Sequence, residues 1–187
     1  YTATACSAAA DAVCGNCPPV ANAATVALDG VDAVLTCADA STSRITQCTA
    51  GTYKVGGGAG TADTCPVCTA VDNAAADATY ACADASTSRV SACAAGFFKS
   101  AGSDAGPGPD GIDGTSDDIA ATADTCEACT VCAAGTFTAT ACGAAADTQC
   151  TNCAEVSNRL PGIGVLTCED ASSSRVTGCS DGFYKTA

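Results

Sequence analysis

The sequence predicts a small disulfide-rich fold: short β-hairpins and loops, almost no helix, drawn out as an elongated rod of tandem cysteine-rich modules. Three observations predict it. The stretch Cys82–Lys99, CADASTSRVSACAAGFFK, has two further copies, CADASTSRITQCTAGTYK at Cys37–Lys54 and CEDASSSRVTGCSDGFYK at Cys168–Lys185. There are 17 cysteines in 187 residues. Large apolar side chains are scarce: four Phe, four Tyr, no Trp, no Met, few Leu or Ile, so that the 48% hydrophobic content is mostly Ala and Cys.

Each observation has a physical reading. Self-similarity at a fixed spacing is the mark of a repeat architecture. Burying one Leu or Phe contributes roughly 1.5–3 kcal/mol, and this chain has too few for an ordinary core. A disulfide contributes about 2–4 kcal/mol by restricting the unfolded chain. Bridges therefore stand in for a core, which requires an oxidising compartment and places the protein outside the cell, secreted or on the surface. A zinc ribbon is the competing use of so many thiols; the absence of His and the wide spacing of the cysteine pairs argue against it.

The net charge of −13 and a pI near 4.1 exclude nucleic acid as a partner, since that needs a basic face, and disfavour anionic lipid. No apolar run is long enough to span a membrane. No signal peptide opens the sequence.

Taken in order, residues 1–17 form a partial module, because TATACSAAADAVCGNC at 2–17 reappears at 138–153 as TATACGAAADTQCTNC. Residues 18–64 make a cysteine-rich module. Within it, residues 25–35 read as two short apolar strands around Asp29-Gly30, a favoured hairpin turn. Residues 65–125 make a second module, carrying an Asp/Gly/Pro insertion at 101–118. Cys93 and Cys126 enclose 32 residues where Cys48 and Cys65 enclose 16, and the extra length is turn-rich. Residues 126–152 are a third module, and 153–187 a fourth that stops part-way. Both ends read as cuts through a longer tandem array. The alanine run at 73–78 suits a helix by propensity alone, but its shortness and flanking cysteines oppose one.

Residues 126–153 read Cys-x2-Cys-x2-Cys-x9-Cys-x7-Cys-x2-Cys, with Gly-Thr-Phe after the third cysteine and Asp-Thr before the fifth. This resembles the cysteine-rich modules of tumour necrosis factor receptor ectodomains. Segments 48–68 and 93–129, with a glycine and an aromatic followed by a distant Cys-x2-Cys, are similar to growth-factor-receptor cysteine-rich repeats. The whole chain, by its mix of Ala, Thr, Ser and Gly and its periodic Cys-x2-Cys, resembles ciliate surface immobilisation antigens.

Carrying over the receptor connectivity implies Cys129–Cys142 and Cys132–Cys150. The simpler modules then suggest Cys17–Cys37, Cys48–Cys65, Cys68–Cys82, Cys93–Cys126 and Cys153–Cys168. Cys6, Cys14 and Cys179 are left over. By analogy with the internal copy, Cys6 and Cys14 need partners before Tyr1 and Cys179 one beyond Ala187; pairing between subunits and a Cys6–Cys14 loop are the alternatives. The competing pattern Cys37–Cys48, Cys82–Cys93, Cys168–Cys179 stays open at this point.

The recurrent Asp39, Asp84 and Asp170 and the recurrent Arg44, Arg89 and Arg175 are either a ligand-binding pair or structural. In the structural reading the Asp accepts a turn or charge-assisted hydrogen bond and the Arg lays its stem on the next module's aromatic. Tyr53, Phe97, Phe98, Phe137, Phe183 and Tyr184 are read as the miniature core of each module. Asp104, Asp110, Asp113, Asp117 and Asp118 make the insertion a candidate calcium site, because hard cations take carboxylate oxygens. The insertion lacks the ladder of an EF-hand, and a solvated acidic loop is the plainer reading. No cofactor is required.

Catalysis is not expected. Without His the usual base near neutral pH is missing. Ser and Thr beside Ala and Gly suit O-linked glycan, while no Asn lies in an Asn-x-Ser/Thr sequon. The expected function is structural: a segment of an extracellular coat or filament, associating with itself head to tail. The alternatives are a receptor-like binding ectodomain and a calcium-tuned adhesion segment.

Overall fold

A computed structural model describes residues 2–4, 13–26, 33–106, 119–160 and 165–186; at 2–4 and 13–14 only the backbone is considered. Among them there is no helix. The strands are β1 (Thr2–Thr4), β2 (Val13–Cys14), β3 (Leu35–Thr36), β4 (Arg44–Ile45), β5 (Tyr80–Ala81), β6 (Arg89–Val90), β7 (Phe97–Ser100), β8 (Thr125–Ala128), β9 (Thr136–Thr140), β10 (Gln149–Asn152), β11 (Leu166–Thr167) and β12 (Arg175–Val176). Each pairs with one neighbour, in the two-stranded sheets β1-β2, β3-β4, β5-β6, β7-β8, β9-β10 and β11-β12. This is the small disulfide-rich β fold that the composition predicts.

The chain divides into two compact units. One comprises Tyr1–Ala92 and Ala101–Thr125, the other Cys93–Ser100 and Cys126–Ala187. The first contains β3-β4 and β5-β6, whose registers correspond residue for residue: Leu35 faces Ile45 and Thr36 faces Arg44, while Tyr80 faces Val90 and Ala81 faces Arg89. The second contains the third copy, β11-β12, where Leu166 faces Val176 and Thr167 faces Arg175. It also holds β9-β10, whose register shifts between Gln149 and Cys150.

A two-residue strand cannot hold itself in place, and the loop chemistry explains why these hairpins close where they do. Asp39 Oδ1 accepts from the Ser41 amide at 2.7 Å and from its hydroxyl at 2.7 Å, while Thr42 Oγ1 accepts from the amides of Ala38 and Asp39 at 3.2 and 3.1 Å. Asp84 with Ser86 and Thr87, and Asp170 with Ser172 and Ser173, repeat the arrangement. A short oxygen-bearing side chain that replaces a backbone turn bond is what Asp, Ser and Thr supply in such loops. The recurrent aspartate is thus a turn residue, and its carboxyl is held below its ordinary pKa by the Ser41, Ser86 and Ser172 donors.

Of the run at 25–35 read as a hairpin, Thr25 and Val26 lie outside any strand and Leu35 pairs with Ile45 of β4, while the turn at Asp29-Gly30 falls outside the described residues. One expectation is corrected here. The aromatics are not the core. Tyr53, Phe97, Phe98 and Phe137 are half-buried, and Phe183 and Tyr184 are 54% and 84% exposed. The buried apolar side chains among the described residues are Ile45, Val90, Cys65, Cys68, Cys126 and Cys153. A two-residue strand offers one inward position. A β-branched residue fills it, and the bridges cover the rest.

Turns are set by residues that tolerate positive φ. Gly51, Gly96, Gly135 and Gly182 occupy the same place after a cysteine in their modules, at φ of 79°, 85°, 85° and 85°. Asn22, Asn73 and Asn158 take φ of 58°, 59° and 57°. The Asn73 turn opens the alanine run at 73–78, which forms no helix, in accord with its reading as non-helical.

Candidate functional site

In the first unit, Asp63 is a buried carboxylate, with 3% of the residue exposed. It lies in Thr61-Ala62-Asp63-Thr64-Cys65, just ahead of a bridged cysteine. Its Oδ2 accepts from the amide of Ile45 at 3.0 Å, and its Oδ1 from the amide of Gly57 at 2.9 Å and from Arg44 Nη1 at 2.9 Å. Lys54 Nζ stands 3.4 Å from Oδ2. The Asp63 amide donates to the Ser43 carbonyl at 2.9 Å, so the backbone is anchored together with the carboxylate. The amides of Gly57 and Ile45, followed by Arg44 and Lys54, hold the carboxyl far below its ordinary value of 3.8, outweighing the opposing effect of burial.

Asp124, 4% exposed, occupies a second box of the same design. It lies in Thr122-Ala123-Asp124-Thr125-Cys126 and accepts from the Val90 amide at 3.0 Å, the Gly102 amide at 2.9 Å and Arg89 Nη1 at 3.2 Å. Its own amide donates to the Ser88 carbonyl at 2.9 Å. The arginine clamps its loop further: Arg44 reaches the carbonyls of Thr61 and Gly58, and Arg89 reaches the Thr122 carbonyl and Asp104.

Glycine is required at the mouth of each box. A Cβ on Gly57 would run into the carbonyls of Thr61 and Ala62, and one on Gly102 into the Thr122 carbonyl and the Arg89 guanidinium. Only a bare backbone brings that amide to the carboxylate.

A cysteine lies two residues beyond each boxed aspartate: Cys65 bonds Cys48, and Cys126 bonds Cys93. The carboxylate and the bridge therefore fasten the same segment to the same hairpin. In the third copy, Arg175, Val176 and Cys179 occupy the places of Arg44, Ile45 and Cys48, but no Asp-Thr-Cys segment lies beside them among the described residues. Arg175 is exposed and without an ion pair there, and Cys179 is a free thiol. A groove of about 550 Å³ runs past them, lined by Ser174, Arg175, Val176, Cys179, Tyr184 and Lys185 among others.

The remaining residues singled out from the sequence fall as follows. All seven pairs named from it are bonded: Cys17–Cys37, Cys48–Cys65, Cys68–Cys82, Cys93–Cys126, Cys129–Cys142, Cys132–Cys150 and Cys153–Cys168. The competing pattern that joins Cys37 to Cys48 and its equivalents is absent. Cys6 lies outside the described residues, and Cys14 is described only as part of β2. Of the insertion's carboxylates, Asp104 pairs with Arg89 at 2.7 Å, while Asp110, Asp113, Asp117 and Asp118 lie outside the described residues. The recurrent arginine does not pair with its copy's own aspartate. In the first two copies it pairs instead with Asp63 or Asp124, from a different segment.

Those two aspartates escaped the sequence reading. The signal was present as the repeated pentapeptide Thr-Ala-Asp-Thr-Cys at 61–65 and 122–126. A short motif in an acidic chain reads as solvated surface unless its distant donors are known. The chain matches no protein-family model, no curated protein and no solved structure.

Proposed function

We propose that the chain is a structural segment of an extracellular coat or filament, akin to ciliate surface antigens, built from disulfide-stapled modules and associating with itself head to tail. The observation that carries this reading is the replacement of a core by bridges: seven disulfides in a chain whose described residues bury two large aliphatic side chains, Ile45 and Val90. Dense bridging fits an extracellular protein, and no helix among the described residues is long and apolar enough to cross a membrane. Covalent staples resist unfolding and proteolysis in a setting where chaperones are absent. One hairpin design used repeatedly lets identical joints propagate along a chain of modules, and a heterologous contact that does not close on itself generates a fibre. The protein works in this role without catalysis, and its exposed Ser and Thr are acceptors for O-linked glycan.

Sedimentation and electron microscopy of the oxidised, full-length chain test the proposal. Association that grows with concentration and yields linear particles is expected. A monodisperse monomer at every concentration overturns it.

A further inference from the structure

We propose that the Cys132–Cys150 bridge is a thiol-exchange site, where a small-molecule thiol adds reversibly to Cys150 while the other described bridges stay closed. Such chemistry lies outside the structural role and needs no self-association.

Access distinguishes this bridge from the rest. Of the cysteines in the seven described bridges, Cys150 alone is exposed. Four of the other bridges include a buried cysteine, Cys65, Cys68, Cys126 or Cys153, while Cys17–Cys37 and Cys129–Cys142 are half-buried at both ends. The surroundings offer no cover. From residue 127 to 152 no residue is buried, and all four residues of β10 are exposed. Exchange requires a thiolate to reach a sulfur, and exposed disulfides are the labile ones.

The hairpin supplies the second requirement, a stabilised leaving group. Its register shifts so that Thr140 faces Gln149 while Thr138 faces Cys150. Irregularities of this kind re-aim a side chain. Thr138 Oγ1 lies 3.4 Å from Cys132 Sγ. A bridged sulfur carries no proton, so the threonine hydroxyl is the donor. A hydrogen bond to the ionised form of a thiol favours that form, and a thiol that ionises more readily leaves faster. Cys150 is thus the sulfur attacked and Cys132 the sulfur released.

In the covalent step the thiolate of the small molecule attacks Cys150 Sγ. The new S–S bond forms as the Cys132–Cys150 bond breaks, and Cys132 leaves as a thiolate with the electron pair, accepting from Thr138. Attack of that thiolate back on Cys150 expels the small thiolate and restores the bridge. Asp147 Oδ1 accepts from the Thr130 amide at 2.7 Å, which keeps the segments of the two cysteines together in the meantime. A capped Cys150 no longer fastens β10 to Cys132, while Cys129–Cys142 and Cys153–Cys168 continue to hold the module on either side.

The experiment uses the full oxidised chain with its free thiols blocked by N-ethylmaleimide. The probe is 2-mercaptoethanol, a neutral thiol that a chain of net charge −13 does not repel. Samples taken over time are trapped with isotope-labelled N-ethylmaleimide and mapped without reduction. Cys150 is expected to carry the mercaptoethanol adduct and Cys132 the labelled maleimide, about tenfold or more faster than any other described bridge opens. Thr138→Val should slow this opening about threefold or more relative to Cys129–Cys142 in the same molecule, and Thr138→Ser should restore it. An adduct on Cys132 instead of Cys150, another bridge opening first, or all bridges opening together each overturn the proposal. A Thr138→Val protein that opens at the parental rate overturns the leaving-group assignment. The mapping uses the unaltered chain, so it decides even if the variant misfolds.

Discussion

Arg44 and Asp63 are 19 residues apart in the chain and meet at 2.9 Å, with the arginine side chain 39% exposed and the carboxylate 2% exposed. The pair is unequal, and the inequality decides which partner matters. The carboxylate is the buried hub on which two amides and two cations converge, whereas the guanidinium is a half-wet clamp.

Removing the hub should therefore cost more than removing the clamp. Asp63→Ala leaves the amides of Ile45 and Gly57 without an acceptor, at about 1–3 kcal/mol for each buried group left unsatisfied. Arg44→Gln leaves the carboxylate with both amides and Lys54, and a pair this exposed is worth about 1 kcal/mol or less. Urea unfolding of the two variants with disulfides intact measures the difference. Equal losses would show that the ion pair, and not the amide cradle, holds the segment.

Acid should loosen the same joint. The folded Asp63 carboxyl titrates well below its ordinary value of 3.8 because the Gly57 and Ile45 amides favour the ionised form. A carboxyl depressed on folding contributes stability that is fully present above its unfolded pKa and is lost as pH falls toward and through the folded one. The melting temperature should accordingly show no Asp63-linked change between pH 7 and about pH 5, and fall below about pH 4. Asp63→Asn should remove part of that fall. A melting temperature in the variant with the same acid slope as the parent would contradict this assignment.

Glycine at the mouth of each box should resist substitution for a steric reason. Gly57→Ala and Gly102→Ala place a methyl group against backbone carbonyls, and overpacking of this kind costs typically 1–3 kcal/mol. Gly56→Ala, which meets nothing within 4 Å, is the control and should change stability by less than about 0.5 kcal/mol. Thermal unfolding of the three variants decides, and a control that loses as much as Gly57→Ala would contradict the steric account.

Much of the fold was legible before any coordinates. The three copies of the Cys-x10-Cys stretch marked the modules, and the shortage of large apolar residues pointed to bridges in place of a core. The resemblance to receptor modules implied two of the seven pairs and the simpler modules suggested the other five, while the spacing alone left a competing pattern open that the bonded pairs now exclude. The acidic insertion behaved differently: its length was legible, while the role of Asp104 as a second partner for Arg89 was not. The aromatics misled, because in a module this small an aromatic beside a glycine turn stays half in solvent while a single Ile or Val fills the inward place.

Local chemistry, meaning a cysteine count and a recurrent Asp read as a turn acceptor among serines, is written in short stretches of residues and so was readable as text. Which carboxylate each arginine meets was not, because Asp63 and Asp124 acquire their meaning from amides and cations 6 to 35 residues away. Only chain closure, with its bridges, brings those donors to one oxygen pair. Isolation from water then makes that meeting count.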